Sequence, residues 1–311
     1  MVHLFLIAAL FIAFFLLGKA ADIVVVHIRH IGERLGIGTV FLGLLLGLFT
    51  TLPEFALAIN AFANGVEELS FGNLVGGIPV LLGLILGLGA VLNRKINTKE
   101  MNGSTPFMLA FLLLPLLLGL DGRVGMVDGV VLILFYLLLG YALYAWNRRV
   151  FGRHIYFRPH RFAATDFFLV IGGIILVLLI SNGIIRITLE LLALFQIPAF
   201  LVGVLLFAIG TNLPELSVTI RAWRRGASDL SMSHLLGSAM ANGLLIGILA
   251  FIHVIPVTVN TAYVGLAVTT AFLLGLLFLF GRTDNRLSRR EGFALVGGYL
   301  LVVASQALIV L

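Results

Sequence analysis

Long apolar stretches alternate with short polar segments along the whole chain, and most charged residues lie in the polar segments. Each apolar stretch has about 20 residues, the length at which a helix crosses a hydrocarbon core of about 30 Å. No series of short segments with alternating apolar and polar residues points to a transmembrane barrel. We therefore predict an all-α polytopic membrane protein with ten transmembrane helices. The predicted spans lie near residues 2–26, 37–63, 69–92, 105–120, 125–146, 165–195, 197–220, 230–255, 259–280 and 291–310.

The composition agrees with this class. Hydrophobic residues make up 61% of the 311 positions and charged residues 11%, whereas a soluble domain has roughly 25% charged residues. The chain has no cysteine, which excludes disulfides, thiolate metal sites and cysteine nucleophiles. Only His3 precedes the first apolar stretch as a polar residue, so we interpret that stretch as a retained span rather than a cleaved signal.

Lysine and arginine are distributed very unevenly between the two sides that this topology defines. If the segment after the first span is cytoplasmic, cytoplasmic segments hold seventeen of the twenty basic residues and the opposite side holds only Arg123. Because positive residues collect on the cytoplasmic side, we predict both termini outside and the linker at 147–164 inside, in the plasma or inner membrane. The net charge of +6 then reflects orientation and gives no reason to expect a nucleic-acid partner.

An internal repeat divides the chain into two halves, 1–146 and 165–311. Residues 50–86 align with 211–247 without a gap, at a constant offset of 161, and share an identical Thr-x-Leu-Pro-Glu. Five spans in each half make the second half cross the membrane in the opposite sense to the first. Inverted-topology repeats with a site near the midplane are typical of secondary transporters.

Each copy of the shared motif places a glutamate, Glu54 or Glu215, inside an apolar span with no basic residue within a helical turn. A charge at this depth is costly, and such residues usually line a pathway or pair with a cation. Two carboxylates brought together without a counter-charge bind either protons or a divalent metal ion.

The prolines of the motif supply further oxygen ligands. Because proline has no N–H, it frees or loosens backbone carbonyls one turn earlier in a helix, among them those of Thr50 and Thr211. Thr50 and Glu54 are four residues apart and share a helix face, as Thr211 and Glu215 do. Two carboxylates and two carbonyls provide about six oxygens, which suits Ca²⁺ better than Mg²⁺.

One such motif alone is more often a simple helix kink, and the bias toward a site comes from the matched pair. For most of the remaining polar residues, an ordinary structural role is the simpler interpretation. Asp128 is interpreted as a helix cap, Asp22 and Asp166 as solvated or capping residues, and His27 and His30 as residues without a special role. His234 aligns with Asn73 inside the repeat, and we consider it for ion or proton handling.

The two motifs and the stretches that follow them resemble the calcium/cation antiporter superfamily, most closely its sodium/calcium exchanger branch. The resemblance covers the ten spans and both halves, with an alpha-repeat region at 47–89 and another at 208–250. It implies that Glu54 and Glu215 are central Ca²⁺ ligands with the Thr50 and Thr211 carbonyls. The resemblance also implies Na⁺ contacts through side-chain oxygens. These contacts are assigned to Thr51, Asn212 and Ser238.

The chain departs from the family pattern at several positions. Gly77 stands where the family usually has Ser, Leu81 where it often has Asn, and Asn242 where it often has an acidic residue. Asn73 keeps the family residue type. These departures remove polar groups mainly from the first repeat and put sodium coupling in doubt.

The resulting hypothesis is a secondary transporter that exchanges Ca²⁺ for Na⁺ by alternating access. A Ca²⁺/H⁺ antiporter with degenerate Na⁺ sites is the nearest alternative, followed by an uncoupled channel or uniporter and by a member without transport. No motif pairs a nucleophile with a base, so we do not expect an enzyme. We expect no cofactor, inorganic cations and the lipid bilayer as the partners, and a protein that functions as a monomer.

Overall fold

The computed structural model describes residues 2–35, 49–93, 95–97, 105–146, 164–224, 228–282 and 286–307, most of which are helical. The first half contains α1 (Val2–Arg34), α2 (Leu52–Ala63), α3 (Glu67–Pro79), α4 (Leu86–Asn93), β1 (Lys95–Asn97), α5 (Thr105–Leu118), β2 (Arg123–Val124) and α6 (Met126–Trp146). The second half contains α7 (Ala164–Phe195), α8 (Ala199–Val202), α9 (Ala208–Thr211), α10 (Leu213–Arg224), α11 (Ser228–Ile252), β3 (Ile255–Pro256), α12 (Thr261–Arg282), β4 (Arg286–Ser288) and α13 (Arg289–Ala307). Two π-helical segments, Val80–Ile85 and Gly203–Phe207, join α3 to α4 and α8 to α9.

The predicted fold class is confirmed. Every predicted span contains a helix within the described residues, although 37–48 of the second span and most of the predicted linker lie outside them. In the part of the chain that the structure describes, six helical segments are long and apolar enough to cross a membrane, and three shorter apolar helices accompany them. The first and sixth spans are single unbroken helices of 33 and 32 residues. At about 1.5 Å per residue, each exceeds a hydrocarbon core of about 30 Å.

One compact unit comprises Met1–Gly65 and Tyr141–Gln196, and α1, α2 and α7 are its main elements. The helices α1 and α7 pack along one another, and Gly173 of α7 lies directly against α1. A Cβ on Gly173 would lie 2.6 Å from Cγ2 of Val24. The buried residues of α1 recur every three or four positions, as expected for one packed face: they include Leu6, Leu10, Phe14, Leu17, Ala21 and Val24.

A polar network also ties α2 to α7 in this unit. The Asn60 amide donates to the Ser181 hydroxyl at 2.7 Å, and the Asn182 amide donates to Asn60 Oδ1 at 3.0 Å. Interhelical hydrogen bonds of this kind stabilise membrane helices by about 1 kcal/mol. They fix the register of α2 against α7 two turns beyond Glu54.

The second compact unit comprises Val66–Gly140 and Ile197–Leu311. Among the described spans, the one from Glu67 to Leu92 is the most deeply buried. Small residues allow close crossings there, because a Cβ on Gly76 would lie 2.7 Å from the Cα of Val204. Pro79 sits at the end of α3, and the π-helical segment follows it directly.

Two short antiparallel strand pairs join segments at the helix ends of this unit. Residues 95–97 pair with 286–288, and residues 123–124 pair with 255–256. Each pair joins two segments that the charge distribution predicts on the same side of the membrane. The helix order of the predicted topology is therefore consistent with the strand pairing.

Each compact unit draws residues from both halves of the sequence repeat. The repeat halves at 1–146 and 165–311 describe sequence symmetry, and the units describe packing, so the two divisions differ. The division into halves stays a prediction.

Candidate cation-binding site

The first motif interrupts its span immediately before α2. Residues Phe49 and Thr50 are helical, Thr51 forms a turn with φ −91° and ψ 11°, and α2 begins at Leu52. Pro53 is accommodated in the first turn of α2, where a missing N–H is tolerated. Glu54 follows in that same turn and is only 4% exposed.

The second motif repeats this geometry 161 residues later. Helix α9 ends at Thr211, Asn212 adopts φ −90° and ψ 9°, and α10 begins at Leu213. Glu215 lies in the first turn of α10 and is 6% exposed. Each span is thus interrupted one residue after the first threonine of its motif, close to the carbonyls that the prolines are expected to loosen.

The backbone carbonyl at each break accepts a hydrogen bond from the residue four positions later. The Thr51 carbonyl accepts the Phe55 N–H at 3.0 Å, and the Asn212 carbonyl accepts the Leu216 N–H at 3.1 Å. The backbone thus re-enters a helix in the same way in both repeats. Two matched breaks in an otherwise helical chain indicate a built feature of the fold rather than a local accident of either span.

The two breaks also arrange helix dipoles around the motifs. Each glutamate occupies the N-terminal turn of the helix that follows, where the partial positive charge of the helix favours a carboxylate. Before the second break, α9 ends at Thr211, and the carbonyls at this helix end carry partial negative charge. In membrane transporters, interrupted helices of this kind coordinate cations through carbonyls and C-terminal helix ends.

A buried polar cluster surrounds the second motif within its unit. The Thr211 hydroxyl donates to Asn73 Oδ1 at 3.2 Å, which links α9 to α3. The Asn212 side-chain amide donates to the backbone carbonyl of Ala208, the first residue of α9, at 2.7 Å. Thr211, Asn73 and Asn212 are all at most 3% exposed.

Asn242 explains the departure from the family pattern at Gly77. A Cβ built on Gly77 would lie 2.5 Å from the Asn242 amide nitrogen and 3.4 Å from the Asn212 amide nitrogen. The Asn242 amide also donates to the Leu74 carbonyl at 3.3 Å. The space that a serine would use on α3 is therefore filled by an asparagine side chain from α11, so the polar group is supplied by the other repeat.

Ser238 lies one turn before Asn242 on α11, and both are buried, at 9% and 3% exposure. The four-residue spacing places them on the same face of the helix. The side chain of His234, one turn earlier, lies outside the described residues. Its suggested role stays a prediction.

The structure brings together only part of the predicted site. Asn73, Gly77, Thr211, Asn212 and Asn242 meet in the second unit, and Glu215 lies in the turn that follows. The other predicted ligands, Glu54, Thr50 and Thr51, belong to the first unit. Shared binding of one ion by both glutamates stays a prediction.

A family model described as "Sodium/calcium exchanger protein" matches residues 5–145 and 165–308, nearly the whole chain. The chain belongs to the sodium/calcium exchanger family. A relative in this group is the sodium/calcium exchanger MaX1 of Methanosarcina acetivorans. It is 23% identical, and the alignment covers 95% of this chain and 96% of MaX1.

Two solved exchangers share the fold. The H⁺/Ca²⁺ exchanger CAX superposes with a TM-score of 0.71 and 17% identity, over 96% of this chain and 84% of CAX. The sodium–calcium exchanger NCX_Mj superposes with a TM-score of 0.66 and 23% identity, over 96% of this chain and 98% of NCX_Mj. This exchanger chain therefore has the polytopic, inverted-repeat architecture of these transporters.

Sequence reasoning missed a second polar cluster, in the first unit. Asp166 is 5% exposed rather than solvated, and it contacts His27, His30 and Arg34 of α1. Spacing alone could have indicated it, because His27, His30 and Arg34 recur at three and four residues and share a helix face. Only the tertiary packing reveals their partner on α7.

Proposed function

We propose that this member of the exchanger family transports Ca²⁺ in exchange for a monovalent cation, by alternating access. The observation that carries the proposal is the pair of matched helix breaks, each followed by a buried glutamate in the first turn of the next helix. Inverted repeats with interrupted helices are the usual architecture for alternating access in secondary transporters. The same architecture argues against a simple channel or an enzyme.

Calcium is the proposed divalent ion because the ligands are hard oxygens. Glu54 and Glu215 would supply two carboxylates, and the Thr50 and Thr211 carbonyls would complete a set of about six oxygens. A set drawn from two repeats suits Ca²⁺, which accepts flexible geometry, better than Mg²⁺, which requires a near-ideal octahedron.

Sodium is the first candidate for the counter-ion because of the family. Side-chain oxygens of Thr51, Asn212 and Ser238 would contact it, and all three residues are buried. Protons are the alternative, since the two negative charges of the glutamates can be neutralised either by one Ca²⁺ or by two protons. The departures from the family pattern at Gly77, Leu81 and Asn242 support this alternative, because they leave fewer side-chain oxygens for Na⁺ than that pattern has.

The test is Ca²⁺ binding and flux in proteoliposomes with Glu54→Gln and Glu215→Gln variants. Each substitution removes one negative charge and one oxygen ligand, so we expect saturable Ca²⁺ binding to be lost in both variants. Asp128→Asn is the matched control. The Asp128 carboxylate accepts the Gly125 N–H at 2.8 Å and thus caps α6, so its loss should leave Ca²⁺ binding intact. Normal Ca²⁺ flux through Glu54→Gln would place the site elsewhere.

A further inference from the structure

Asp166 is the centre of a polar cluster that the proposed transport function does not use. His27 Nδ1 lies 2.7 Å from Asp166 Oδ1, and His30 Nδ1 lies 3.5 Å from the same oxygen. Among the described residues, these three form the one group of histidine and acidic side chains whose ligand atoms lie within 4.8 Å of one another. The cluster joins the end of α1 to the first turn of α7.

The burial of the cluster is graded. The Asp166 side chain is 8% exposed, that of His27 22% and that of His30 46%. The carboxylate is thus held inside the helix pair while the His30 side is open to solvent. An ion could enter from that side, and water could complete its coordination.

Arg34 contacts the opposite oxygen of the carboxylate. Its Nη1 lies 2.6 Å from Asp166 Oδ2, so Oδ1 alone faces the two imidazoles. An arginine on the outer oxygen orients the carboxylate, as partners of ligating carboxylates commonly do. Its charge also weakens the attraction of a cation to the cluster, so the affinity should be modest.

We propose that His27, His30 and Asp166 bind a divalent transition-metal ion such as Zn²⁺. Two imidazole nitrogens and one carboxylate oxygen form a ligand set that suits Zn²⁺ and leaves one position for water. Ligands about 2.1 Å from a tetrahedral metal are about 3.4 Å apart. The two nitrogen–oxygen distances of 2.7 and 3.5 Å bracket that value, so small side-chain movements create the site.

An ion-pair network without metal is the competing explanation. Arg34 and His27 already satisfy both oxygens of Asp166, and His30 at 3.5 Å adds no hydrogen bond of ordinary length. The two rings are nearly perpendicular, at 86°, with both Nδ1 atoms directed at one oxygen. A metal ion between the three groups would replace the His27–Asp166 hydrogen bond and would also use the His30 nitrogen, for which the ion-pair network provides no hydrogen bond of ordinary length.

The experiment measures Co²⁺ and Zn²⁺ binding to the full-length protein in detergent, with saturating Ca²⁺ present to occupy the transport site. Co²⁺ bound by these ligands should give the visible absorption of tetrahedral cobalt, at one ion per chain, and Zn²⁺ should displace it. We expect His27→Ala, His30→Ala and Asp166→Asn each to weaken Zn²⁺ binding at least 10-fold. Zn²⁺ should raise the unfolding temperature of the unaltered protein but not of these variants.

Three further variants keep the result interpretable. His253→Ala removes a histidine whose Nε2 lies 3.8 Å from the Glu67 carboxylate, and Asp22→Asn removes a half-exposed carboxylate of α1. Neither substitution should change metal binding. Arg34→Gln keeps all three ligands and removes the nearby positive charge, so Zn²⁺ binding should persist or tighten. The proposal is overturned if the unaltered protein binds no Zn²⁺, if the three ligand variants bind it as tightly as the unaltered protein, or if Arg34→Gln abolishes binding.

Discussion

Gly77 shows how one residue can be understood only together with its neighbour on another helix. The family pattern alone suggests that a ligand has been lost at this position. The packing shows instead that the Asn242 amide occupies the space and hydrogen-bonds the Leu74 carbonyl. The two departures from the pattern compensate for each other, because a side chain at position 77 and the Asn242 amide could not both fit without movement.

This compensation predicts a strong dependence of one substitution on the other. Gly77→Ser should lower the free energy of unfolding by about 1–3 kcal/mol, since the added Cβ overpacks the buried amide. In an Asn242→Ala background, the same substitution should cost at least about 1 kcal/mol less. Thermal unfolding of the four proteins of this cycle, in one detergent, measures the difference. Equal costs in both backgrounds would show that the two residues do not compete for space.

At the scale of helices, the two proline motifs determine where the spans break. Both breaks lie at equivalent residues with backbone angles that agree within 2°. Pro115 provides a contrast, since α5 continues through it. Proline alone therefore does not produce the break, and the surrounding motif is needed as well.

We predict that Pro53→Ala and Pro214→Ala weaken Ca²⁺ binding about tenfold, which corresponds to about 1.4 kcal/mol. Alanine restores a backbone N–H, so the helix can close its hydrogen bonds across the break and withdraw carbonyls from the site. Pro115→Ala is the matched control and should bind Ca²⁺ normally. Calcium titration of the purified variants is the measurement. Unchanged affinity in Pro53→Ala and Pro214→Ala would mean that the freed carbonyls do not contribute.

The sequence predicted the spans and the weakening of the helix before each motif proline, because both depend on local chemistry. Apolar length determines a span, and a proline without N–H weakens the helix at a fixed distance before it. The exchange of space between Gly77 and Asn242 was not predictable, because it depends on how α3 and α11 cross. The His27–Asp166 contact was not predictable for the same reason, since it joins residues that are 139 positions apart in the sequence. The π-helical segments have no simple sequence signature, although the one at Val80–Ile85 follows a proline.

For the whole molecule, the strand pairs and the charge distribution agree on which segments share a side. The β1–β4 pair lies in segments rich in Lys and Arg. The β2–β3 pair has a single basic residue, Arg123. The hydrogen bond from Thr258 to Glu68, with its 2.5 Å oxygen–oxygen distance, joins the β3 segment to one further segment that is predicted outside. We predict the orientation of the pairs in the membrane from the excess of positive charge on one side.

This orientation predicts the labelling of single cysteines, which is clean because the chain has no native cysteine. A cysteine at Val127, which is 76% exposed, should react with an impermeant reagent added outside intact cells. Cysteines at Arg286, beside β1, and at Arg153 of the predicted linker should react only after the membrane is opened. Labelling of Arg153→Cys or Arg286→Cys from outside would reverse the proposed topology.

The coupling ion is the last property to be decided at this scale, and we predict that protons take a larger part than in an exchanger with the full family pattern. A Na⁺ site requires several oxygens at fixed distances, and Gly77, Leu81 and Asn242 provide fewer than that pattern does. Ca²⁺ binds only deprotonated carboxylates, so at the proposed site we expect protons to compete with it for Glu54 and Glu215. Ca²⁺ affinity should therefore rise as the pH rises, and exchange of one Ca²⁺ for two protons would carry no net charge. The measurement is Ca²⁺ flux in proteoliposomes under an imposed Na⁺ gradient and then under a pH gradient, with the membrane voltage clamped in both. If uptake is driven strongly by Na⁺, moves net charge and does not respond to pH, the Na⁺ contacts at Thr51, Asn212 and Ser238 are sufficient and the proton model is wrong.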